Sequence, residues 1–247
     1  MRNPEQYFSS NLLLRALGPD DLALVKPHLT RERMARNQVL LPADRPIEHV
    51  WFPEGGVVSI TAKSADHGRT EVGILGREGF AGTTLLLGAD TSPHETFVQV
   101  DDHTALRIDA ARLLAATEES ATLRALLLRY TQTFIVQIAQ SATSNARQRI
   151  EARLARWLLM CHDRGDTDEI ELTHEFMAMM IAAERSGVTV ALHVLEGAGM
   201  IRSRRGRVII RDRAKLEELA GEGYGMPEAE YRRLIGPFGK EHPRLPV

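Results

Sequence analysis

The largest group of chemically active side chains is a run of cations in the last quarter of the sequence. Between residues 202 and 215 there are seven basic residues and a single acid, Asp212. The basic residues are Arg202, Arg204, Arg205, Arg207, Arg211, Arg213 and Lys215. Such cations neutralise phosphate oxygens and release the counterions held by a nucleic acid. The run therefore predicts contacts with a phosphate backbone, and the alternative is an arginine-rich solvated turn.

The residues just before this run have the pattern of two short helices joined by a tight turn. Thr173 suits an N-cap, and Gly197 and Gly199 suit the end of the second helix. Apolar residues recur at spacings of three and four. They are Phe176, Met177, Met180 and Ile181 on the first helix, and Val188, Leu192 and Leu195 on the second. Because helices this short are unstable alone, they must pack on each other, as in the helix-turn-helix of DNA-binding proteins. Residues 200–210 then read as strand, glycine turn and strand, which predicts a two-stranded wing.

The composition of the whole chain narrows the classes of protein that remain. The 247 residues carry a formal net charge of −2, so any affinity for nucleic acid must come from a local patch. The single cysteine, Cys161, can form neither an intrachain disulfide nor a cysteine cluster for zinc or iron–sulfur. No apolar run approaches the roughly 20 residues that span a bilayer, and no signal-peptide core is visible. We expect a soluble, cytoplasmic protein without a membrane partner.

The first half of the chain is expected to form a β unit. Residues 37–108 contain short apolar runs separated by turn residues, which is typical of an antiparallel barrel or roll. Residues 1–36 are expected to be polar and helical, with short helices at 11–17 and 20–29.

A long helix is expected over residues 118–142, which contain no glycine or proline. Its larger side chains recur in steps of four and three, the heptad repeat of a coiled coil. The predicted dimer seam consists of Leu123, Leu127, Tyr130, Phe134, Gln137 and Ser141. We favour this parallel dimer seam because the helix has more apolar surface than one neighbour covers. The alternative is a helix packed on its own β unit.

The sequence therefore predicts an α+β fold with an N-terminal antiparallel β-roll, a long dimerisation helix and a C-terminal winged helix-turn-helix. The expected domains are a sensor roll with its N-terminal helices (1–117), the dimerisation helix (118–143), the DNA-binding domain (144–215) and a helical tail (216–247). The tail is expected to hold helices at 215–219 and 227–235 and to end in a loose segment.

Enzyme motifs are incomplete in this sequence. His174 and Glu175 begin the zincin pattern HExxH, but Ala178 stands where the second zinc ligand is needed. A cupin-like metal enzyme needs closely spaced histidines, and the histidines here are scattered. A dimeric scaffold with a winged helix that does not bind DNA is a further alternative, against which the arginine wing argues. We expect a regulator and not an enzyme.

The order of these parts resembles the CRP/FNR family of bacterial transcription regulators over almost the whole chain. The most specific stretch is residues 172–206, with LTHEFMAMM and SGVTVALHVLEGAGMIRSRRG. Residues 72–100, VGILGREGFAGTTLLLGADTSPHETFVQV, also resemble the glycine-bearing roll of the family, a jelly-roll-like domain of the cyclic-nucleotide-binding type. The resemblance implies a homodimer that places its second helix in the major groove of double-stranded DNA, responds to an effector held in the roll, and acts on RNA polymerase.

The resemblance also implies which residues contact DNA. Base-reading positions fall on Arg185, Ser186, Gly187, Thr189, Val190 and His193. Phosphate contacts are expected from Thr173, Arg202, Arg204, Arg205 and Arg207. An arginine can donate two parallel hydrogen bonds to guanine, whereas Val190 would touch a thymine methyl. The turn normally carries glycine, and here Ala182 would bear a strain of roughly 1 kcal/mol in a left-handed conformation.

The effector site departs from the cyclic-nucleotide pattern of the family. Its residues would be Gly79, Phe80, Gly82, Thr83, His94 and Glu95. Phe80 stands where those proteins have a glutamate for the ribose, and His94-Glu95 stand at or near the Arg-Ser pair that holds the cyclic phosphate. Because Glu95 would repel a phosphate, we expect no cyclic nucleotide. Because the chain lacks the N-terminal cysteine cluster of the oxygen-sensing members, we expect no iron–sulfur cluster. Haem binding through one histidine is an alternative, although a surface or core role is commoner for each candidate. The candidates are His49, His67, His94 and His103.

Overall fold

The structure is a computed structural model, and it describes residues 8–64, 68–100 and 103–240. His67 and the predicted turn residues Asp66, Asp101 and Asp102 lie outside these ranges, as does the end of the predicted loose tail.

The helices and strands fall into four groups along the chain. The first group holds α1 (Leu12–Ala16), α2 (Pro19–Val25), β1 (Thr30–Met34), β2 (Val39–Leu41), β3 (His49–Pro53), β4 (Val57–Ser64), β5 (Gly68–Leu75), α3 (Thr83–Leu86), β6 (Glu95–Val100) and β7 (His103–Asp109). The second holds α4 (Ala110–Glu119) and α5 (Ala121–Arg147). The third holds α6 (Ile150–Arg164), β8 (Glu169–Glu171), α7 (His174–Met180), α8 (Arg185–Gly197), β9 (Ile201–Arg204), β10 (Arg207–Ile210) and α9 (Arg213–Ala220). The last is a 3₁₀ turn (Gly221–Gly223) followed by α10 (Met226–Leu234).

The β-roll consists of two antiparallel sheets, in the strand orders β1-β7-β3 and β2-β6-β4-β5. Apolar side chains from both sheets form one core with α1, α4 and α5, and Phe52, Phe80 and Leu106 are among its most buried members. The predicted β-roll is therefore confirmed.

Strand β1 corrects the prediction of a polar helical segment up to residue 36. Its sequence is TRERM, and only Met34 is buried. The strand pairs with β7 at the edge of the sheet, where Glu32 forms an ion pair of 3.0 Å with Arg107. An edge strand needs few apolar residues, and this explains why the apolar pattern did not predict it.

Helix α5 begins one residue after Ser120, whose side chain accepts a hydrogen bond from the Leu123 amide, and it ends at Arg147. The predicted helix over 118–142 is therefore confirmed, with a later end. The face predicted as the dimer seam is turned inward. Phe134 contacts Gly73 of the roll, and Gln137 Oε1 accepts a hydrogen bond of 2.9 Å from the Ile74 amide.

This packing shows that the predicted seam is wrong. Leu123, Leu127, Tyr130, Phe134 and Gln137 are all buried within their own chain, and Ser141 is half-buried. The aromatic and aliphatic side chains on this face are the largest on α5, and the roll covers them. The alternative interpretation, a helix packed on its own β unit, is correct for these residues.

A second core is built from α6, α7, α8, α9 and the three-stranded sheet β8-β10-β9, and Val57, Ile74 and Phe97 of the β-roll also belong to it. Within the described part of the chain, no single helix is long and apolar enough to span a membrane. Helices α7 and α8 meet the length and composition criteria only as a pair, and that pair is bent by 102°. This bend is within the usual range for the two helices of a helix-turn-helix.

The winged-helix domain packs against the β-roll. The Phe97 and Phe176 rings lie 6.5 Å apart, and Trp157 Nε1 donates a hydrogen bond of 3.2 Å to Glu71 Oε1. Glu71 is buried, and burial raises the pKa of its carboxyl group to about 8. The contact between the two domains is therefore a packed interface that contains a polar centre.

Candidate nucleic-acid interface

The first helix of the motif begins as the sequence predicts. Thr173 is the N-cap of α7, and its Oγ1 accepts a hydrogen bond of 3.2 Å from the Phe176 amide. Met177 and Met180 face the domain core. A capping side chain of this kind stabilises a helix by about 1 kcal/mol, which matters for a helix of only seven residues.

The turn between α7 and α8 contains a left-handed alanine. Ala182 has φ 49°, which confirms the expectation for this position. Arg153 of α6 donates hydrogen bonds to the carbonyls of Ile181 and Ala182, at 2.9 and 3.3 Å. The Arg153 guanidinium thus stabilises the strained turn through its backbone carbonyls, and the sequence pattern did not indicate this role.

Helix α8 has one buried and one exposed face. Val188, Ala191, Leu192 and Leu195 are buried in the domain core. The opposite face is exposed and consists of Arg185, Ser186, Val190, His193 and Val194. Val190 is 59% exposed and Val194 is 49% exposed, so this face has apolar as well as polar groups free to meet a ligand.

Two of the predicted base-reading residues have other surroundings. A Cβ at Gly187 would lie 2.9 Å from Ile150 Cδ1, so this glycine faces α6 and corrects its predicted role as a base reader. Thr189 is half-buried and donates a hydrogen bond of 3.0 Å to the Arg185 carbonyl. Its Oγ1 also lies 3.2 Å from His174 Nδ1. These contacts hold Thr189 at the side of the exposed face.

The wing places its arginines beside this helix. Ile201, Val208 and Ile210 anchor β9 and β10 in the domain core. The arginines point outward: Arg202, Arg204, Arg205 and Arg207 are all exposed. Among the described residues, no ion pair involves the first three, whereas Arg207 Nη1 lies 2.6 Å from Glu169 Oε1 of β8. Three of the four wing cations are therefore free to neutralise an external anion.

A cleft between α8 and the wing brings together the residues predicted to read bases and those predicted to bind phosphates. Its wall includes Thr173, His174, Glu175, Arg185, Thr189, His193, Glu196, Ser203, Arg204 and Arg205. Glu196 is not free, because its Oε1 accepts a hydrogen bond of 3.0 Å from the Ser203 amide. The cations of the cleft and the exposed face of α8 form one continuous surface, which is the candidate interface.

The predicted effector residues fall in two different surroundings. A Cβ at Gly79 would lie 2.0 Å from the Tyr130 hydroxyl, so this turn is pressed against α5. Phe80 is 0% exposed, with its ring 5.6 Å from Phe52 and 5.2 Å from Tyr130. Phe80 is thus a core residue, which corrects its predicted place in the wall of a ligand pocket. Glu95 lies instead at the start of β6, where it forms an ion pair of 2.8 Å with Arg69.

The remaining predicted effector residues are Gly82, which has φ 118° and caps α3, Thr83, the first residue of that helix, and His94. The histidines considered for haem are dispersed. His49 lies 3.2 Å from Asp109, and His103 packs on Gly55. No group of three histidine, cysteine or acidic side chains suited to a metal ion occurs within residues 8–64, 68–100 and 103–240.

Comparison with known proteins identifies the C-terminal domain. Residues 152–219 match a family model described as the Crp-like helix-turn-helix domain. No curated protein matches the sequence.

The fold is similar to that of several solved regulators. A CRP-family transcriptional regulator from Thermus thermophilus has a TM-score of 0.66 and 18% identity, over 77% of this chain and 97% of that one. FixK2 from Bradyrhizobium japonicum has a TM-score of 0.67 and 18% identity, over 78% and 98%. The c-di-GMP responsive regulator CLP from Xanthomonas campestris has a TM-score of 0.64 and 15% identity, over 78% and 99%.

The domain and the fold agree with the resemblance seen in the sequence. The chain carries a Crp-like helix-turn-helix domain within the fold of the CRP/FNR regulators. The matched domain is a DNA-binding helix-turn-helix, and the solved proteins that share the fold are described as transcriptional regulators.

Proposed function

We propose that the protein is a homodimer that reads an inverted repeat in double-stranded DNA. One observation carries this proposal: α5 keeps a second heptad line that its own chain leaves uncovered. The line runs in steps of three and four through Ala125, Leu128, Gln132, Ile135, Ala139, Ala142 and Ala146. Ile135 is 49% exposed and Leu128 is 37% exposed. Four of the other five positions are alanine, and all of these except the half-buried Ala125 are exposed, which lets a second helix approach closely, as in the seam of a coiled coil.

A parallel pair of α5 helices would carry two copies of the DNA interface. In this proposal the two α8 helices lie one turn of DNA apart, about 34–36 Å, and enter successive major grooves. Arg185, Ser186, Val190 and His193 face the bases. Thr173, Arg202, Arg204 and Arg205 bind phosphates, with a smaller share from Arg207.

The β-roll is proposed to be a sensor whose ligand is not a cyclic nucleotide. Phe80 is buried in the core and offers no oxygen to a ribose, and the cation beside Glu95, Arg69, is already paired with that carboxylate. The similarity to a regulator described as c-di-GMP responsive therefore does not extend to its ligand. We also propose that the dimer meets RNA polymerase at the promoter and that it acts in the cytoplasm.

Selection of bound DNA from a random pool tests the DNA-reading half of the proposal. We expect enrichment of a palindrome with two half-sites, because the dimer presents two identical reading faces. The selection is repeated with a cell extract, in which a changed affinity would reveal a ligand. A scaffold or a cupin-like enzyme would enrich no motif, and that result would overturn the proposal.

Sedimentation of two matched variants tests the dimer. Ile135→Glu places charges in the proposed seam, and we expect it to sediment as a monomer. Leu87→Glu changes a residue that is 61% exposed on another surface, and it should leave the dimer intact. Dimers in both variants would show that the subunits associate through another surface.

A further inference from the structure

The C-terminal segment after α9 does not leave the protein but returns to α5. It lies beyond the residues that match the helix-turn-helix model, which end at residue 219. Helix α10 packs along α5, and Tyr231 and Phe238 are buried in the same core as the β-roll. We call residues 220–240 the brace, since they connect the end of the winged-helix domain to the long helix.

The brace crosses the joint between α5 and α6. These helices are joined by only Gln148 and Arg149, both in an extended conformation. A link of this kind leaves rotation about several backbone bonds open unless other contacts restrict it. The orientation of each DNA-reading head relative to α5 therefore depends on what bridges this joint.

Hydrogen bonds attach the brace to both sides of the joint. On the α5 side, Gln140 Nε2 donates to the Glu222 carbonyl at 2.7 Å, and in the link Gln148 Nε2 donates to the Ala220 carbonyl at 2.8 Å. On the α6 side, Arg156 Nε donates to the Gly223 carbonyl at 2.8 Å. The fit is close, because a Cβ at Gly223 would lie 2.4 Å from Gln148 Oε1.

A second attachment lies at the far end of α6. The Tyr224 hydroxyl donates a hydrogen bond to Asp163, whose side chain also accepts one of 3.1 Å from the Lys240 amide. The Phe238 ring lies 5.4 Å from the Arg164 guanidinium carbon. The brace therefore contacts α6 at its middle and at its C-terminal end, so that α6 cannot rotate independently of the brace.

We infer that the brace sets the spacing of DNA half-sites that the dimer accepts. This inference rests on the proposed reading of an inverted repeat. A change of one base pair moves the second half-site by about 3.4 Å along the duplex and about 35° around it. A head held by both the brace and the β-roll interface cannot follow this movement, whereas a head held by the β-roll interface alone can follow it more easily. The brace is thus a positioning element that acts through α8, without touching DNA.

A series of inverted repeats, differing only in the number of base pairs between half-sites, tests the inference. The brace variant is Gln140→Ala combined with Gln148→Ala, and Gly223→Ala disturbs the same contact from the other side. Arg233→Ala is the control, because Arg233 lies on α10 but is exposed, and within the described residues its ion pair is with Glu230 alone. Each protein is titrated with every repeat and with a single half-site, and its melting temperature is measured.

We expect wild type and Arg233→Ala to lose about tenfold or more in affinity when the spacing changes by one base pair, since only one head then fits. In the brace variants the loss should be about threefold or less. Their affinity for a single half-site should equal that of wild type. A folded brace variant that keeps the wild-type spacing preference would overturn the inference. Failure of wild type to bind any half-site would instead contradict the proposed function.

Discussion

The indole of Trp157 and the carboxyl group of Glu71 form a buried hydrogen bond between the winged-helix domain and the β-roll, with Nε1 and Oε1 3.2 Å apart. Ser59 donates a second hydrogen bond of 3.1 Å to the same carboxyl group. Burial raises the pKa of Glu71 to about 8, although Ser59, Arg156, Trp157 and Arg164 each act to lower it. The interface between the domains is therefore closed around a carboxyl group that is protonated at neutral pH.

This carboxyl group predicts that stability falls as the pH rises. In the unfolded chain the pKa of Glu71 is near the ordinary glutamate value of 4.5, and in the folded chain it is about 8. Between these values the folded state binds more protons, so its contribution to the free energy of unfolding decreases with rising pH. Glu71→Gln keeps a neutral side chain, and we expect it to flatten the fall in melting temperature across this window. Glu95→Gln is the control, and equal slopes in Glu71→Gln and wild type would contradict the prediction.

Arg185 is expected to discriminate between bases. Arg185→Ala should lose about 1–3 kcal/mol of discrimination at one base pair, because a bidentate contact to guanine is removed. Affinities for a set of operators with single changes measure this effect, and Arg233→Ala serves as the control. An equal loss for every operator would show that Arg185 binds phosphate instead.

The wing arginines are expected to differ in their contribution to the salt dependence of binding. Arg205→Ala should weaken binding to all sequences and lower the slope of log K against log salt by about one. Arg207→Ala should lower it less, because Glu169 already neutralises part of its charge. Titration at several salt concentrations compares the two, and a larger effect for Arg207 would contradict the assignment.

The left-handed turn predicts a stabilising substitution. Ala182→Gly should raise the free energy of unfolding by up to about 1 kcal/mol, since glycine adopts φ 49° without a Cβ clash. The neighbouring Ala183→Gly should lower it, because a glycine there only adds freedom to the unfolded chain. Urea unfolding of both variants measures the difference. Equal destabilisation by both would show that the turn is unstrained.

Adjacent residues on α5 are expected to affect different properties. Phe134→Ala should lower the free energy of unfolding by about 3–5 kcal/mol, because it leaves a cavity against the roll. Ile135→Ala should leave the fold intact and weaken the dimer. Chemical unfolding and sedimentation of the two variants separate these effects, and loss of dimerisation in Phe134→Ala alone would restore the original seam.

The sequence predicted the DNA-binding motif well because its signals are local. Neighbouring residues determine each of these signals: the N-cap at Thr173, the glycines at the end of α8 and the alternating apolar residues of the wing strands. The dimer seam was wrong for a different reason. Two heptad lines interleave on α5, and the larger side chains, such as Phe134, mark the line that the roll buries. Tertiary packing decides which of the two lines faces a partner. The exposed line consists of smaller side chains, and its pattern in the sequence was too weak to predict it. The role of Arg153 also depends on packing, since its partners are backbone carbonyls 28 and 29 residues away.

The wing shares its sheet with β8, the strand that leads into α7. The Leu172 amide donates a hydrogen bond of 2.9 Å to the carbonyl of Gly206 at the tip of the wing. The residues proposed to bind phosphates and those proposed to read bases are therefore held in one rigid unit. When the width of a DNA groove does not match the fixed spacing of these protein groups, the double helix has to deform. The energy of that deformation depends on the base sequence of the DNA. Operators with easily deformed steps should therefore be favoured even at base pairs that no side chain touches.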